Sequence, residues 1–337
     1  MQSAFHISNR RYLGNKFKLT PFILDIVNKN CKDIKSIADI FAGTGSVANA
    51  FIDKTIITND ILQSNYISNF AWFAPQKFDK NKIQNIIIEL NAYDKVQSNY
   101  MSENFADTYF SMKVCSKIGF MREDIEDKFK NGKINEKERA ILITSLLYAM
   151  DKIANTCGHY DAFRKKTRQN DDIVLLMPLI SEKVDKNNAC FNIDANELVK
   201  RIYADLIYID PPYNSRQYSD AYHLLENVAT WQKPKVYGVA KKMDRKHIKS
   251  KYCNNKAEQV FADLIGNINA KYILFSYNNI AKKANERSNA KISDKSIMDI
   301  LEHKGEVSVF SQEHRAFSTG KSKIENNVER LFLCKCR

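Results

Sequence analysis

The sequence predicts an α/β fold in which a Rossmann-like, doubly wound sheet ends in C-terminal antiparallel strands and carries an inserted, mainly helical region. Three observations lead to this prediction. Short apolar runs typical of buried strands alternate with segments of helical periodicity. The run at residues 36–41 leads through a glycine loop into a helix, as in nucleotide-binding α/β proteins. Residues 94–189 are helical in pattern and polar, and this stretch is too long for a simple crossover between strands.

Local patterns place the helices. Thr20 and Pro21 have the residue types of a helix cap and a first helical position. The apolar stripe of this helix consists of Phe22, Ile23, Ile26 and Val27. A second helix is predicted at residues 79–93, and Asn135 with Glu138 resembles a capping box that opens a third. The buried face of that third helix consists of Ile143, Leu146, Leu147 and Met150.

Apolar runs place the strands in the two parts of the chain that flank the inserted region. Strands are predicted at residues 36–41, 55–58, 190–193, 206–209, 272–275, 307–310 and 328–334, the last two as an antiparallel pair. The chain is therefore divided into a sheet-forming domain, residues 1–93 and 188–337, and an inserted domain, residues 94–187.

A glycine loop follows the first strand. Gly43 and Gly45 permit unusual backbone angles and close approach of a ligand, and the next helix directs free N–H groups at an anion. Asp60 follows the second strand, where an acid can bind both hydroxyls of a ribose; a loop or cap residue is the alternative. A nicotinamide cofactor fits less well, because the third glycine of the GxGxxG pattern is missing.

Asp210, Pro211, Pro212 and Tyr213 follow the strand at residues 206–209. The Asp210 carboxylate and the Pro211 carbonyl can both accept hydrogen bonds from one amino group, and the Tyr213 ring offers a stacking face. These groups suit the amino group of a nucleobase. Taken alone, the same four residues are also typical of a proline-stiffened turn.

Composition favours a polyanionic partner. The net charge is +13, so a nucleic acid is expected to bind with release of counterions, although a lysine-rich surface can also serve solubility alone. The seven cysteines and six histidines lack metal-ligand spacing, and no metal is predicted. With no signal peptide and no long apolar run, a cytoplasmic protein without a membrane partner is expected.

The motifs in this order resemble those of the alpha-type, D12 class DNA adenine N6-methyltransferases, which include Dam enzymes and many restriction-modification methylases. The resemblance covers residues 5–66 and 188–232 well, and residues 271–279 and the C-terminus more weakly. The matching segments are Tyr12-Leu13-Gly14-Asn15-Lys16, Asp39-Ile40-Phe41-Ala42-Gly43-Thr44-Gly45, Asn59-Asp60, Asn192-Ile193-Asp194 and Asp210-Pro211-Pro212-Tyr213.

The resemblance implies S-adenosylmethionine as the cofactor. It places Tyr12 and Lys16 near the adenosine and carboxylate, Asp60 on the ribose and Asp194 on the adenine amino group. Asp39 is expected to orient the methionine ammonium, and Asp210 lies close enough in the family's layout to touch it as well. The loop expected near the methionine consists of Phe41, Ala42, Gly43, Thr44 and Gly45.

The implied reaction is methylation of adenine N6 in duplex DNA, which requires the base to be flipped out of the helix. Asp210 is then a polariser of N6 rather than a covalent catalyst, and Tyr213 stacks on the flipped base. Residues 94–187 are expected to recognise the target, and the basic loop at residues 233–257 to contact DNA. Candidate DNA contacts are Arg164, Lys165, Lys166, Arg216, Gln217, Lys241, Lys242, Arg245 and Lys246. For the lysine-rich clusters, a solvated charged loop is the alternative.

A cognate restriction endonuclease is the functional partner that the family implies. Two other classes stay open at this level: methylation of RNA adenine or of a protein amide, and an inactive nucleic-acid-binding module. The labelled product formed from S-adenosylmethionine distinguishes them.

Overall fold

A computed structural model describes residues 4–164, 172–181, 184–278, 291–313 and 328–337. The chain forms two compact units. The helical unit comprises Met1–Leu13, Leu62–Val184 and Ser219–Lys246, and the sheet unit comprises Gly14–Ile61, Asp185–Tyr218 and His247–Arg337. The predicted insertion, residues 94–187, falls almost wholly in the helical unit, which also takes in segments from both sides of it.

The described strands and helices are numbered along the chain. The strands are β1 (Ala4–Phe5), β2 (Ser36–Asp39), β3 (Thr55–Asn59), β4 (Met177–Pro178), β5 (Ala189–Phe191), β6 (Ala204–Ile209), β7 (Ala270–Asn278), β8 (Gly305–Glu313) and β9 (Val328–Cys336). The helices are α1 (Thr20–Asn30), α2 (Ser46–Ala50), α3 (Gln63–Phe73), α4 (Lys80–Ala92), α5 (Tyr100–Phe105), α6 (Met112–Lys130), α7 (Glu136–Ile153), α8 (Ala195–Leu198), α9 (Tyr218–Ala221), α10 (His223–Thr230), α11 (Ala257–Asn267) and α12 (Asp294–Glu302).

The sheet unit contains a seven-stranded sheet in the order β5-β3-β2-β6-β7-β9-β8. Strands β5, β3, β2, β6 and β7 are parallel, and β9 runs antiparallel to both of its neighbours. The predicted doubly wound sheet and its antiparallel C-terminal pair are confirmed. Because the carboxyl ends of parallel strands share one edge, Asp39, Asn59 and the residues after Ile209 meet there.

The centre of the sheet is apolar on both faces. All six residues of β6 are buried, as expected for a strand covered by helices on both sides. Ile207, Phe275 and Phe332 belong to one core cluster with Phe261 and Leu264 of α11. This core holds the ends of β2, β3 and β6 in fixed positions.

One local prediction at α1 is wrong. Thr20 is the first residue of the helix rather than its cap, because the turn Phe17–Leu19 continues directly into α1. The Thr20 hydroxyl donates to the Phe17 carbonyl at 2.8 Å, so it does not cap a free N–H group. The predicted stripe holds in part: Ile23, Ile26 and Val27 are buried.

The helical unit is organised around α7. Asn135 and Glu138 form the predicted capping box, in which each side chain accepts from the other residue's backbone N–H at 2.9 Å. The predicted face, with Leu146 and Leu147, is fully buried. None of the helices in the described ranges combines the length and apolar character needed to span a lipid bilayer.

Candidate active site

The glycine loop is tied to the ends of β2 and β3. Gly43 and Gly45 have φ values of 52° and 80°, a conformation that favours glycine. The Ala42 N–H donates to the Asn59 carbonyl at 2.9 Å, and the Gly43 N–H donates to Asp60 Oδ2 at 2.9 Å. One Asp60 oxygen therefore holds the loop. The predicted ribose contact of this carboxylate remains a prediction.

Asn59 joins three strand ends. Its Nδ2 donates to the carbonyls of Ile40 and Ile193, both at 3.1 Å, and its Oδ1 accepts from the Ile193 N–H at 3.1 Å. Sequence reasoning treated Asn59 only as the neighbour of Asp60. Its buried amide aligns the loop after β2 with the segment that carries Asp194.

Asp39 is a buried carboxylate with an unsatisfied oxygen. Burial raises its pKa to about 8, and the Asp210 and Asp60 charges add to this effect, while the N–H groups of Ala48 and Phe41 oppose it. Among the described residues, Asp39 Oδ1 has no hydrogen-bond partner. A cation bound here would stabilise the charged carboxylate, so the site fits a ligand that carries an ammonium group.

Just beyond β6, the half-buried Asp210 forms an ion pair with the buried Lys16. Lys16 Nζ lies 3.1 Å from Asp210 Oδ1 and 2.9 Å from Glu329 Oε1. Burial opposes the Lys16 charge, but the two carboxylates outweigh it and raise the pKa of Lys16 well above its ordinary value. Burial raises the pKa of Asp210 to about 7, with Lys16 opposing the rise and Glu329 adding to it. The three charges act as one unit.

Glu329 was missed by sequence reasoning. It lies on β9 opposite Asn278 of β7, is 3% exposed, and accepts from the Ser276 hydroxyl at 2.7 Å. The available signal was its position two residues before Leu331, on a face where period-two alternation predicts an apolar residue. A buried acid on such a face needs a cationic or donor partner, which is Lys16.

The other three residues of the Asp-Pro-Pro-Tyr segment follow Asp210 at the edge of the sheet. Pro211 is buried, while Pro212 and Tyr213 are half-buried. The Tyr213 carbonyl accepts from the Lys291 N–H at 3.0 Å, and its ring stands edge-on to Tyr277 with 6.1 Å between centroids. The aromatic ring is thus held by its backbone and one neighbour.

Other predicted cofactor residues have defined contacts. The Asp194 carboxylate caps α8 by accepting from the Asn196 N–H at 2.9 Å. The Thr44 and Ser46 hydroxyl oxygens lie 2.9 Å apart. The Ser46 hydroxyl also donates to the side chain of Asn15, the residue before Lys16. Phe41 packs edge-on against Tyr252, with 5.3 Å between ring centroids.

Tyr12 belongs to the helical unit. Its ring stacks on Tyr222 at 4.5 Å, and its hydroxyl accepts from Asn65 Nδ2 at 2.9 Å. The predicted adenosine contact of Tyr12 remains a prediction. Lys16, Asp39, Asp60, Asp194 and Asp210 all belong to the sheet unit, where the structure gathers the ends of their strands.

The candidate DNA contacts differ in how free their side chains are. Arg164 and Arg216 are exposed, whereas both polar atoms of the Gln217 amide bind the Ser250 backbone, at 2.8 and 3.0 Å. Lys242 pairs with Asp161 at 2.7 Å, and Arg245 pairs with Asp220. Lys246 is exposed and Lys241 is half-buried. Lys165 and Lys166 lie outside the described residues.

A doubly wound sheet, a glycine loop beside a buried carboxylate, and Asp-Pro-Pro-Tyr beyond β6 define the class of amino-directed methyltransferases. The chain belongs to the D12 class N6 adenine-specific DNA methyltransferases, whose family model matches residues 12–289.

Similar curated proteins are modification enzymes. The chain is 37% identical over 287 residues to the modification methylase StsI of Streptococcus sanguinis, covering 80% of this chain and 44% of that protein. It is 31% identical over 341 residues to the modification methylase LlaI of Lactococcus lactis subsp. lactis, covering 95% of this chain and 53% of that protein. The chain thus spans about half the length of these two relatives. It is 30% identical to the type II methyltransferase M.NlaIII of Neisseria lactamica, covering 94% of this chain and 95% of that protein.

Proposed function

We propose that this chain transfers a methyl group from S-adenosylmethionine to adenine N6 at a specific site in duplex DNA, after base flipping, as the modification half of a restriction-modification system. The observation that carries the proposal is the half-buried Asp210 carboxylate, which pairs with Lys16 at the edge of the sheet that also presents the glycine loop, while Lys16 is held in turn by Glu329.

The cofactor pocket is formed by the loop after β2 and the acids beside it. Asp39, with its unsatisfied oxygen, binds the methionine ammonium, and the backbone at Gly43 and Gly45 allows close approach. Asp60, which the Gly43 N–H holds beside the loop, accepts from the ribose hydroxyls. When bound, the cofactor supplies an activated methyl group, so the protein's main task is positioning.

Asp210 makes adenine N6 a better nucleophile. The N6 lone pair is delocalised into the ring, and hydrogen bonds from N6–H to the Asp210 carboxylate and the Pro211 carbonyl concentrate electron density on the nitrogen. Lys16 binds Asp210 Oδ1 and leaves the other oxygen for N6. Because Glu329 shares the Lys16 charge, Asp210 keeps enough basicity to accept the hydrogen bond strongly.

Tyr213 and the positive charge of the chain both favour duplex DNA as the substrate. Flipping costs a few kcal/mol, and stacking of the base on Tyr213 returns about 1 to 3 kcal/mol. The net charge of +13 favours a polyanion, and the helical unit, which contains residues 94–184, carries target recognition. The cognate endonuclease is proposed because the curated proteins to which the chain is similar are modification methylases.

The test incubates the protein and its Asp210→Asn variant with labelled S-adenosylmethionine and duplex DNA, RNA or a mixed protein extract. N6-methyladenine in hydrolysed DNA, absent with the variant, is the expected product. Label confined to RNA or protein, only N4-methylcytosine in DNA, or no transfer at all contradicts the proposal. Sequencing DNA from an expressing host then identifies the methylated site.

A further inference from the structure

A tight turn in the helical unit presents apolar side chains to solvent. Tyr237 and Lys242 form an antiparallel bridge pair, with both N–H···O bonds at 2.9 Å, and close a loop of four residues. Tyr237 is 64% exposed and Val239 is 75% exposed. We refer to residues 237–242 as the Tyr237 turn.

The Tyr237 turn is anchored to segments that flank the helices of the same unit. The buried Tyr109 hydroxyl lies within hydrogen-bond distance of two carbonyl oxygens, those of Ala240 at 2.8 Å and Tyr160 at 2.7 Å. Lys242 pairs with Asp161 at 2.7 Å. On the approach to the turn, the Tyr100 hydroxyl donates to the Pro234 carbonyl at 2.7 Å. These contacts hold the turn in place while its tip stays outside the core.

The tip contains a lysine in a backbone conformation that favours glycine. Lys241 has a φ of 52° and Gly238 a φ of 70°. A lysine in the left-handed region is strained and persists only where the surrounding contacts enforce it. Strain together with exposed apolar side chains is typical of a functional surface rather than of a loop selected for stability.

We propose that the Tyr237 turn enters the major groove of the DNA substrate, with Tyr237 and Val239 against base edges and the neighbouring lysines on phosphates. This inference rests on the proposed function. The major groove admits a two-stranded β-ribbon, and a turn closed by one bridge pair is no wider. Lys235 is exposed and Lys241 is half-buried beside the tip, so charge complementarity favours DNA over a second copy of this basic chain.

An apolar tip in the major groove has a definite chemical target. The C5-methyl group of thymine is the apolar feature that base pairs present there, and Val239 or the Tyr237 ring is suited to contact it. The turn therefore contributes to site discrimination, whereas its lysines contribute affinity that does not depend on sequence.

The test compares the full chain with Tyr237→Ala/Val239→Ala in binding to duplexes with and without the methylated site, at several salt concentrations. The double variant is expected to lose about tenfold in affinity for the site, with little change on other DNA, because base contacts rather than phosphate contacts are removed. Its salt dependence stays that of the wild type. Replacing the thymines of the site by deoxyuridine should weaken the wild type and leave the variant unaffected.

Two further variants separate the roles. Lys241→Gly relieves the strained backbone and removes one charge, so it should fold normally while lowering the slope of log affinity against log salt by about 0.9. Ile88→Ala removes a side chain that is 61% exposed on α4 of the same unit and should leave DNA binding unchanged.

Unchanged site affinity in the double variant overturns the proposal. So does a loss of self-association in sedimentation with DNA affinity intact, since the turn would then be a contact between copies. If the wild type neither binds nor methylates DNA, the proposed function fails instead.

Discussion

Lys16 contacts two negatively charged side chains, Glu329 and Asp210. Replacing Glu329 by Gln removes one of these charges and keeps the shape of the side chain. Lys16 Nζ lies 2.9 Å from Glu329 and 3.1 Å from Asp210, so its charge is shared between them. Without the Glu329 charge, Lys16 acts on Asp210 alone. The pKa of Asp210 should then fall, because Glu329 is one of the causes that raise it to about 7.

The size of this effect follows from the distances. With both carboxylate oxygens about 3 Å from Nζ, they lie within about 6 Å of each other, which corresponds to about 2.8 kcal/mol at an effective dielectric constant of about 20. That energy is about two pKa units, so the pKa of Asp210 should fall clearly below its value of about 7.

The assay is the pH dependence of kcat/KM for DNA at saturating cofactor. Asp210 must be ionised to accept from N6–H, so activity rises with pH through its pKa. The ratio of the rate at pH 6 to that at pH 8 should be clearly higher in Glu329→Gln than in the wild type, because more of Asp210 is ionised at pH 6 in the variant. The plateau rate of the variant should fall, because Asp210 becomes a weaker acceptor.

Glu306→Gln is the matched control, since it removes an exposed acid from the neighbouring strand β8 and should leave the profile unchanged. Thermal melting shows whether Glu329→Gln folds. An inflection that stays in place or moves to higher pH, in a folded variant, refutes the coupling between Glu329 and Asp210.

Three other outcomes are expected. Burial raises the pKa of Asp39 to about 8, so cofactor binding at pH 7 should release close to one proton from this carboxyl group. Titration calorimetry in two buffers measures the number of protons released. Asp39→Asn should abolish the release and weaken cofactor binding about tenfold or more. Burial opposes the charge of Asp205, but its hydrogen bonds with Lys271 and two backbone N–H groups outweigh burial and lower its pKa to about 2. Asp205→Asn should therefore lower the free energy of unfolding at pH 7 by about 2 kcal/mol, and the difference should shrink as pH falls below about 4; a difference that is constant with pH rules out the ionic cause. Tyr213→Ala should slow methylation on matched duplex and recover in part when the target adenine faces a mismatch, whereas equal rates on both duplexes would argue against stacking.

The sequence alone determined the order of the strands along the chain and the chemical character of the site. Buried strands, glycine loops and the Asp-Pro-Pro-Tyr segment are local features, because side-chain periodicity and backbone freedom depend on neighbouring residues. Since parallel strands place their carboxyl ends on one edge, the strand pattern was sufficient to assign Asp39, Asp60 and Asp210 to one site.

Only the tertiary structure decided how that site is charged and supported. Lys16 and Glu329 are 313 residues apart, and they meet because β9 inserts antiparallel between β7 and β8. Gln217 was a candidate DNA contact, and both polar atoms of its amide bind the Ser250 backbone. No local pattern encodes this contact between loops. The physical reason is the same in both cases: hydrogen bonds and ion pairs between distant segments depend on the packing of the whole sheet, whereas periodicity reports only on adjacent residues.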